Sequence, residues 1–207
     1  MNNNLLHPSY EAHYEASCIR VLDPAGGLAL FVDTDPRGAS PAEVTARPRI
    51  LYATQDMHTP LLALKYLGSK SIAWGIGGAQ LRYEVVDVPA GTTVGALQWR
   101  MARGKPLHMR IFDAGGIEVG AICERSDEPK GLKHAPVGRL LGTMNDDWEE
   151  AAATPVSYVV QLRDSIVAHL QQSYPILKAE FASADDLLFA RKMVFGAIVL
   201  LSGPRMI

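Results

Sequence analysis

The sequence predicts a mainly β protein, a closed antiparallel barrel of about a dozen strands around one hydrophobic C-terminal helix. Two observations carry this. Short runs of alternating apolar and polar residues recur along the chain, separated by Asp-containing turns. The chain then ends in a stretch, Ala184 to Gly203, that is apolar on every side. A dozen strands close into a barrel too wide for its own side chains to fill. An all-round apolar helix is the kind of plug such a barrel needs.

The bulk properties suit one domain. The chain has 207 residues, 48% of them hydrophobic and 20% charged, an ordinary globular balance. A net charge of -2 argues against a nucleic-acid binder. The two cysteines, Cys18 and Cys123, lie far apart with no paired-Cys spacing, so neither a zinc site nor a disulfide framework is expected. Residues 1–13 read as a polar leader without the basic and apolar blocks of a signal peptide, so the expected location is the cytoplasm, peripheral to a membrane if lipid is bound. The single domain is expected over 14–203.

Four turn units follow in order. Asp23-Pro24-Ala25-Gly26 separates CIRVL from GLALFV, and Asp56-Met57-His58-Thr59-Pro60 separates ILYATQ from LLAL. Asp87-Val88-Pro89-Ala90-Gly91 and Asp113-Ala114-Gly115-Gly116 are the third and fourth. Asp opens a turn by accepting backbone N–H bonds, and Gly closes it in a conformation other residues resist. Each unit therefore reads as a hairpin, and the second lacks its Gly. One Asp per turn supplies too few oxygens for a calcium loop.

The flanking strands alternate. Leu81, Tyr83 and Val85 oppose Arg82 and Glu84, while Leu107, Met109 and Ile111 oppose His108 and Arg110. Ile117, Val119, Ala121 and Cys123 oppose Glu118 and Glu124, which predicts a buried face carrying Cys123. Ser71–Ile76 reads as a further strand. Residues 125–156 form a long loop, with Asn145–Ala153 a possible short helix bearing Asp146, Asp147, Glu149 and Glu150. Strands resume at Tyr158–Leu162, Ile166–Gln171 and Ile176–Phe181.

The closing helix is predicted over 185–202. Ser183, Asp185 and Asp186 suit its start, and Gly203-Pro204 its end. A membrane span needs roughly 20 apolar residues. Here the charge-free run is only Met193–Leu201, preceded by Arg191 and Lys192, so a packed interior is preferred.

The segments YEVVDVPAGTTVGALQW, MRIFDAGGIEVGAI and DDLLFARKMVFGAIVLLSG together resemble the tubby-like superfamily, and within it the LURP-one-related and phospholipid scramblase-like proteins. The resemblance covers about residues 14–203. It implies a twelve-stranded barrel wrapped around the terminal helix, without catalysis. The chain departs from the animal scramblases, having no Pro-rich N-terminal segment, no Cys-rich run and no acidic calcium-binding segment beyond Asp185 and Asp186. Calcium-driven scrambling is accordingly not expected.

The resemblance further implies binding of anionic, phosphoinositide-type lipid. The best local match is the basic connection Arg100, Arg103, Lys105 with His108 and Arg110 on the next polar face, since Lys and Arg grip phosphates. Lys130, Lys133, His134 and Arg139 form a looser second cluster. The alternatives are a solvated loop on a soluble protein-binding or scaffold domain with no lipid role, and a scramblase-like membrane protein anchored by the last helix. No catalytic residue, metal ligand or cofactor is expected. The chain carries no GxSxG or HExxH pattern, Gly75-Ile76-Gly77-Gly78 lacks the helix of a phosphate loop, and His169 reads as a strand residue.

Overall fold

The fold is described from a computed structural model, which defines residues 5–34, 48–71, 79–100, 106–125, 155–182 and 187–202. Twelve strands run in chain order. They are β1 (Ser9–Tyr14), β2 (Cys18–Leu22), β3 (Leu28–Asp33), β4 (Arg49–Tyr52), β5 (Pro60–Ser71) and β6 (Ala79–Asp87), then β7 (Thr92–Arg100), β8 (His108–Asp113), β9 (Glu118–Arg125), β10 (Val156–Leu162), β11 (Ser165–Ser173) and β12 (Ile176–Phe181). Helix α1 (Leu187–Ser202) follows. Each strand pairs antiparallel with its sequence neighbours, and β12 pairs with β1 to close the barrel. The predicted helix at Asn145–Ala153, the strand beyond Ser71 and the helix-start residues Ser183 to Asp186 lie outside the described residues.

Every residue from Met193 to Val199 is buried, so α1 lies in the lumen. The barrel makes room for it with small inward residues such as Ala12, Ala168 and Ala179. The helix contributes Gly196, where an added Cβ would stand 3.2 to 3.3 Å from Leu97, Leu64 and Val85. That glycine lets the helix backbone approach β5, β6 and β7 closely. Phe195 sits against Tyr10 and Phe181, with ring centroids 4.9 and 6.2 Å away.

An up-and-down barrel sends alternate connections to opposite ends. The β2–β3, β4–β5, β6–β7, β8–β9 and β10–β11 turns share one end with the start of β1 and the end of β12. This is the turn end. The connections β3–β4, β5–β6, β7–β8 and β9–β10 leave from the other, here the long-connection end.

The Asp turns form as their chemistry requires. Asp23 Oδ1 accepts from Ala25 N and Gly27 N at 2.9 and 2.8 Å. Asp87 Oδ1 accepts from Ala90 N at 3.0 Å, and Asp113 Oδ1 from Ile117 N at 2.8 Å. Gly26, Gly91 and Gly116 hold φ of 81°, 65° and 82°. In the second turn Met57 takes the left-handed position itself, at φ 59°. That geometry disfavours any residue with a Cβ by about 1–2 kcal/mol. Met57→Gly is therefore expected to stabilise the fold by up to about 1 kcal/mol, raising the thermal midpoint by roughly 2–4 °C in a calorimetric scan.

Two expectations are corrected. Strand β1 occupies Ser9–Tyr14, so it begins within 1–13, the stretch read as a polar leader. Its inward Tyr10, Ala12 and Tyr14 do alternate with polar residues. It pairs with β2 on one side and, on the other, with β12 at the far end of the chain. The second correction concerns β9. Ile122 and Glu124 face inward, and Cys123 is half-buried on the outer wall beside Val159 and His108. A bulge opposite Ile111/Phe112 shifts the β8–β9 register at Val119. The period of two does not survive it. Glu124, turned inward, is held by the Leu107 N–H at 2.9 Å.

Candidate functional site

The two cations ahead of the apolar helix run are committed to the fold. Arg191 is buried, donates to the Leu5 and His7 carbonyls, and stacks 4.6 Å from the Phe181 ring centroid. Lys192 pairs with Asp87 at the β6–β7 turn. At the opposite end Arg49 Nη1 donates to Val199 O at 3.2 Å and Gln172 Nε2 to Leu201 O at 3.4 Å. These strand side chains satisfy carbonyls that the last helical turn leaves free. No described helix is long and apolar enough to cross a membrane.

The predicted basic residues fall at the long-connection end. Arg100 ends β7 and His108 begins β8, and the two stand opposite each other in register. Met109 and Ile111 are fully buried, so His108 and Arg110 take the outer face. His108 is exposed. Arg103 and Lys105 lie outside the described residues, as does the Arg100 side chain. Lys130, Lys133, His134 and Arg139 also lie outside them, in the connection that leaves β9 at this same end.

Arg110 has a partner. It forms a charge-assisted hydrogen bond with Glu118, which raises the guanidinium above its ordinary value and holds the Glu118 carboxyl below its own. Its guanidinium also lies 5.4 Å from the Phe112 ring centroid. The Arg82 guanidinium lies 5.0 Å from the same ring centroid. Register puts Arg82, Gln98 and Arg110 on one row across β6, β7 and β8. Arg82 has no carboxylate partner among the described residues. Sequence reasoning placed it on a polar face but did not join it to the basic group. Its place beside Arg110, 28 positions away in the chain, is a property of cross-strand register.

The outer row that begins at His108 runs on through Cys123, Val159 and His169 to Glu180. There it meets a shallow groove of about 190 Å³, lined by Arg125, Ser157, His169, Gln171 and Lys178 among others. The small Ser157 and Val159 on β10, flanked by longer side chains, make the wall concave. Lys178 Nζ is 3.0 Å from Glu11, whose carboxyl it holds below the usual range. His169 is an exposed strand residue.

The thiols are poorly placed for nucleophilic chemistry. Burial, and then the Cys18 hydrogen bond to Glu15 at 3.3 Å, push Cys18 up to about 11. Burial raises Cys123 as well. A thiol in such surroundings stays protonated near neutral pH. Among the described residues no three His, Cys, Asp or Glu side chains gather as a metal-ligand set.

No family model matches the chain. No curated protein matches it either. Among solved structures, the X-ray structure of a protein from Arabidopsis thaliana is similar at 11% sequence identity and a TM-score of 0.45, covering 95% of this chain and 91% of that one.

Proposed function

We propose that the barrel is a non-catalytic module that binds anionic lipid head groups of the phosphoinositide type, working in the cytoplasm at a membrane surface. The observation that supports this is the register of β7 and β8, which pairs Arg100 with His108 at the long-connection end. The β7–β8 connection that bears Arg103 and Lys105 starts and finishes there. Arg110 continues the basic surface down the outer wall, and Arg82 adds a cation that Glu118 does not neutralise. A basic rim of this kind gains about 1 kcal/mol per Lys or Arg near an anionic membrane. The terminal helix takes no part as an anchor, because it fills the lumen.

Vesicle flotation tests the reading. The chain is expected to float with vesicles containing phosphatidylserine or phosphoinositide and not with neutral phosphatidylcholine. Arg100→Glu/Arg103→Glu is expected to weaken binding at least about tenfold, with further loss as salt rises. Absence of binding to both vesicle types would replace this reading with that of a soluble protein-interaction domain.

A further inference from the structure

We propose that the segment Leu5–Pro8 is a latch on the terminal helix, and that it and the first turns of α1 release and dock together, as one unit, ahead of the rest of the barrel. This does not rest on the lipid reading, since the latch lies at the turn end, away from the basic rim.

The segment touches three elements just before it enters β1. The Leu5 carbonyl accepts from Arg191 of α1 at 2.8 Å, and the His7 carbonyl accepts from the same guanidinium nitrogen. The His7 N–H donates to the Tyr10 hydroxyl at 2.9 Å, and the Pro8 carbonyl accepts from the Phe181 N–H of β12 at 2.8 Å. The Leu5 side chain is buried and belongs to the core.

Arg191 makes segment and helix depend on each other. It is a buried cation, and no carboxylate pairs with it among the described residues. Its acceptors there are the two segment carbonyls and the Tyr10 hydroxyl. Hydrogen bonds to a charged donor are strong, and burying such a donor without acceptors is costly. When the segment lifts, the guanidinium loses both carbonyls and must reach water, which draws its helical turn outward. When that turn moves, the segment loses its donor. A coupling of this kind is reciprocal.

The unit also has a boundary. Its two bonds to Arg191 span 186 and 184 positions, so they close only when nearly the whole chain is in place. The segment belongs to no strand, and Leu6 within it is exposed. Stretches with few ladder bonds and exposed backbone open at the low end of a protein's stability range. Lys192, paired with Asp87, is the second tie on the same helical turn and opens with it. From Met193 to Val199 the helix is buried on all sides, and Arg49 and Gln172 hold its last turn at the other end. Release therefore ends at Lys192.

Amide hydrogen exchange on the full chain, followed by NMR in rising sub-denaturing urea, tests this. The Arg191 and Lys192 amides are the first in α1 that helical bonding protects. They are expected to share one opening equilibrium and one urea slope with the His7 and Phe181 amides, shallower than the slope of the β6–β8 amides. Leu5→Ser loosens the segment without removing an atom of α1. It is expected to speed exchange at Arg191 and Lys192 by the same factor as at His7 and Phe181, about tenfold. Arg191→Gln is expected to speed exchange at His7 and Phe181 at least about tenfold. Helix amides unmoved by Leu5→Ser overturn the proposal. So do segment and helix amides with different urea slopes, or a shared slope equal to that of β6–β8.

Discussion

Replacing Phe195 by aspartate is expected to abolish folding, leaving the chain in the insoluble fraction or as an expanded species without near-ultraviolet dichroism. The side chain is fully buried in the middle of α1, edge-on to Tyr10 and tilted against Phe181. Truncating a phenylalanine so placed costs about 3–5 kcal/mol for the cavity alone. Aspartate adds an unpaired carboxylate among fully buried apolar side chains, a further cost of several kcal/mol. Together these approach the about 5–15 kcal/mol that separates folded from unfolded chains. The neighbours are consequential too. Tyr10 belongs to β1 and Phe181 to β12, so Phe195 touches both strands of the closing seam. Phe195→Leu is the control, expected to fold with a lower melting point. A soluble aspartate variant with native dichroism would remove the helix from the core.

Lys192→Met is expected to lower stability by about 3 kcal/mol at pH 7, measured by urea denaturation. Lys192 and Asp87 are only 15% and 17% exposed. Removing the lysine leaves a partly buried carboxylate facing an apolar group. The loss should depend on pH in a definite direction. Burial pushes the Asp87 carboxyl up, but the Lys192 hydrogen bond, the Ala90 N–H and the lysine charge outweigh it and hold the group below its ordinary value. A carboxyl depressed by folding stabilises the native state above its unfolded pKa, and that stabilisation fades as pH falls through the folded one. The gap between wild type and Lys192→Met should therefore be complete at neutral pH and narrow below about pH 4. Asp87→Asn keeps the turn bond to Ala90 and is expected to be milder. A gap that does not change between neutral and acid pH would show that the lysine acts through packing alone.

Much of the architecture could be read from residues close together in the chain. Asp23, Asp87 and Asp113 take the turns that their spacing to Gly26, Gly91 and Gly116 requires. The terminal run is a helix buried on all sides. Legibility fails where one residue shifts a register. On β9 the apolar alternation of Ile117, Val119, Ala121 and Cys123 was plain, yet the bulge sends Ile122 inward and Cys123 outward. The candidate basic surface is legible in the same partial way. Arg100, His108 and Arg110 are near in sequence, whereas Arg82 joins them only through Gln98 on the strand between.

Hairpins, helix and barrel class were all legible in the linear chain. Turn preferences and apolar periods act over a few residues, so a linear reading can find them. Tertiary structure decided which ends and rows those pieces share. It set Ser9–Tyr14 between Cys18–Leu22 and the distant Ile176–Phe181, the pairing that closes the barrel. It made Arg191 and Lys192, which precede the charge-free run, ties between the helix and the barrel. These outcomes depend on register across the sheet and on closure of the barrel, both set by packing between residues far apart in the chain.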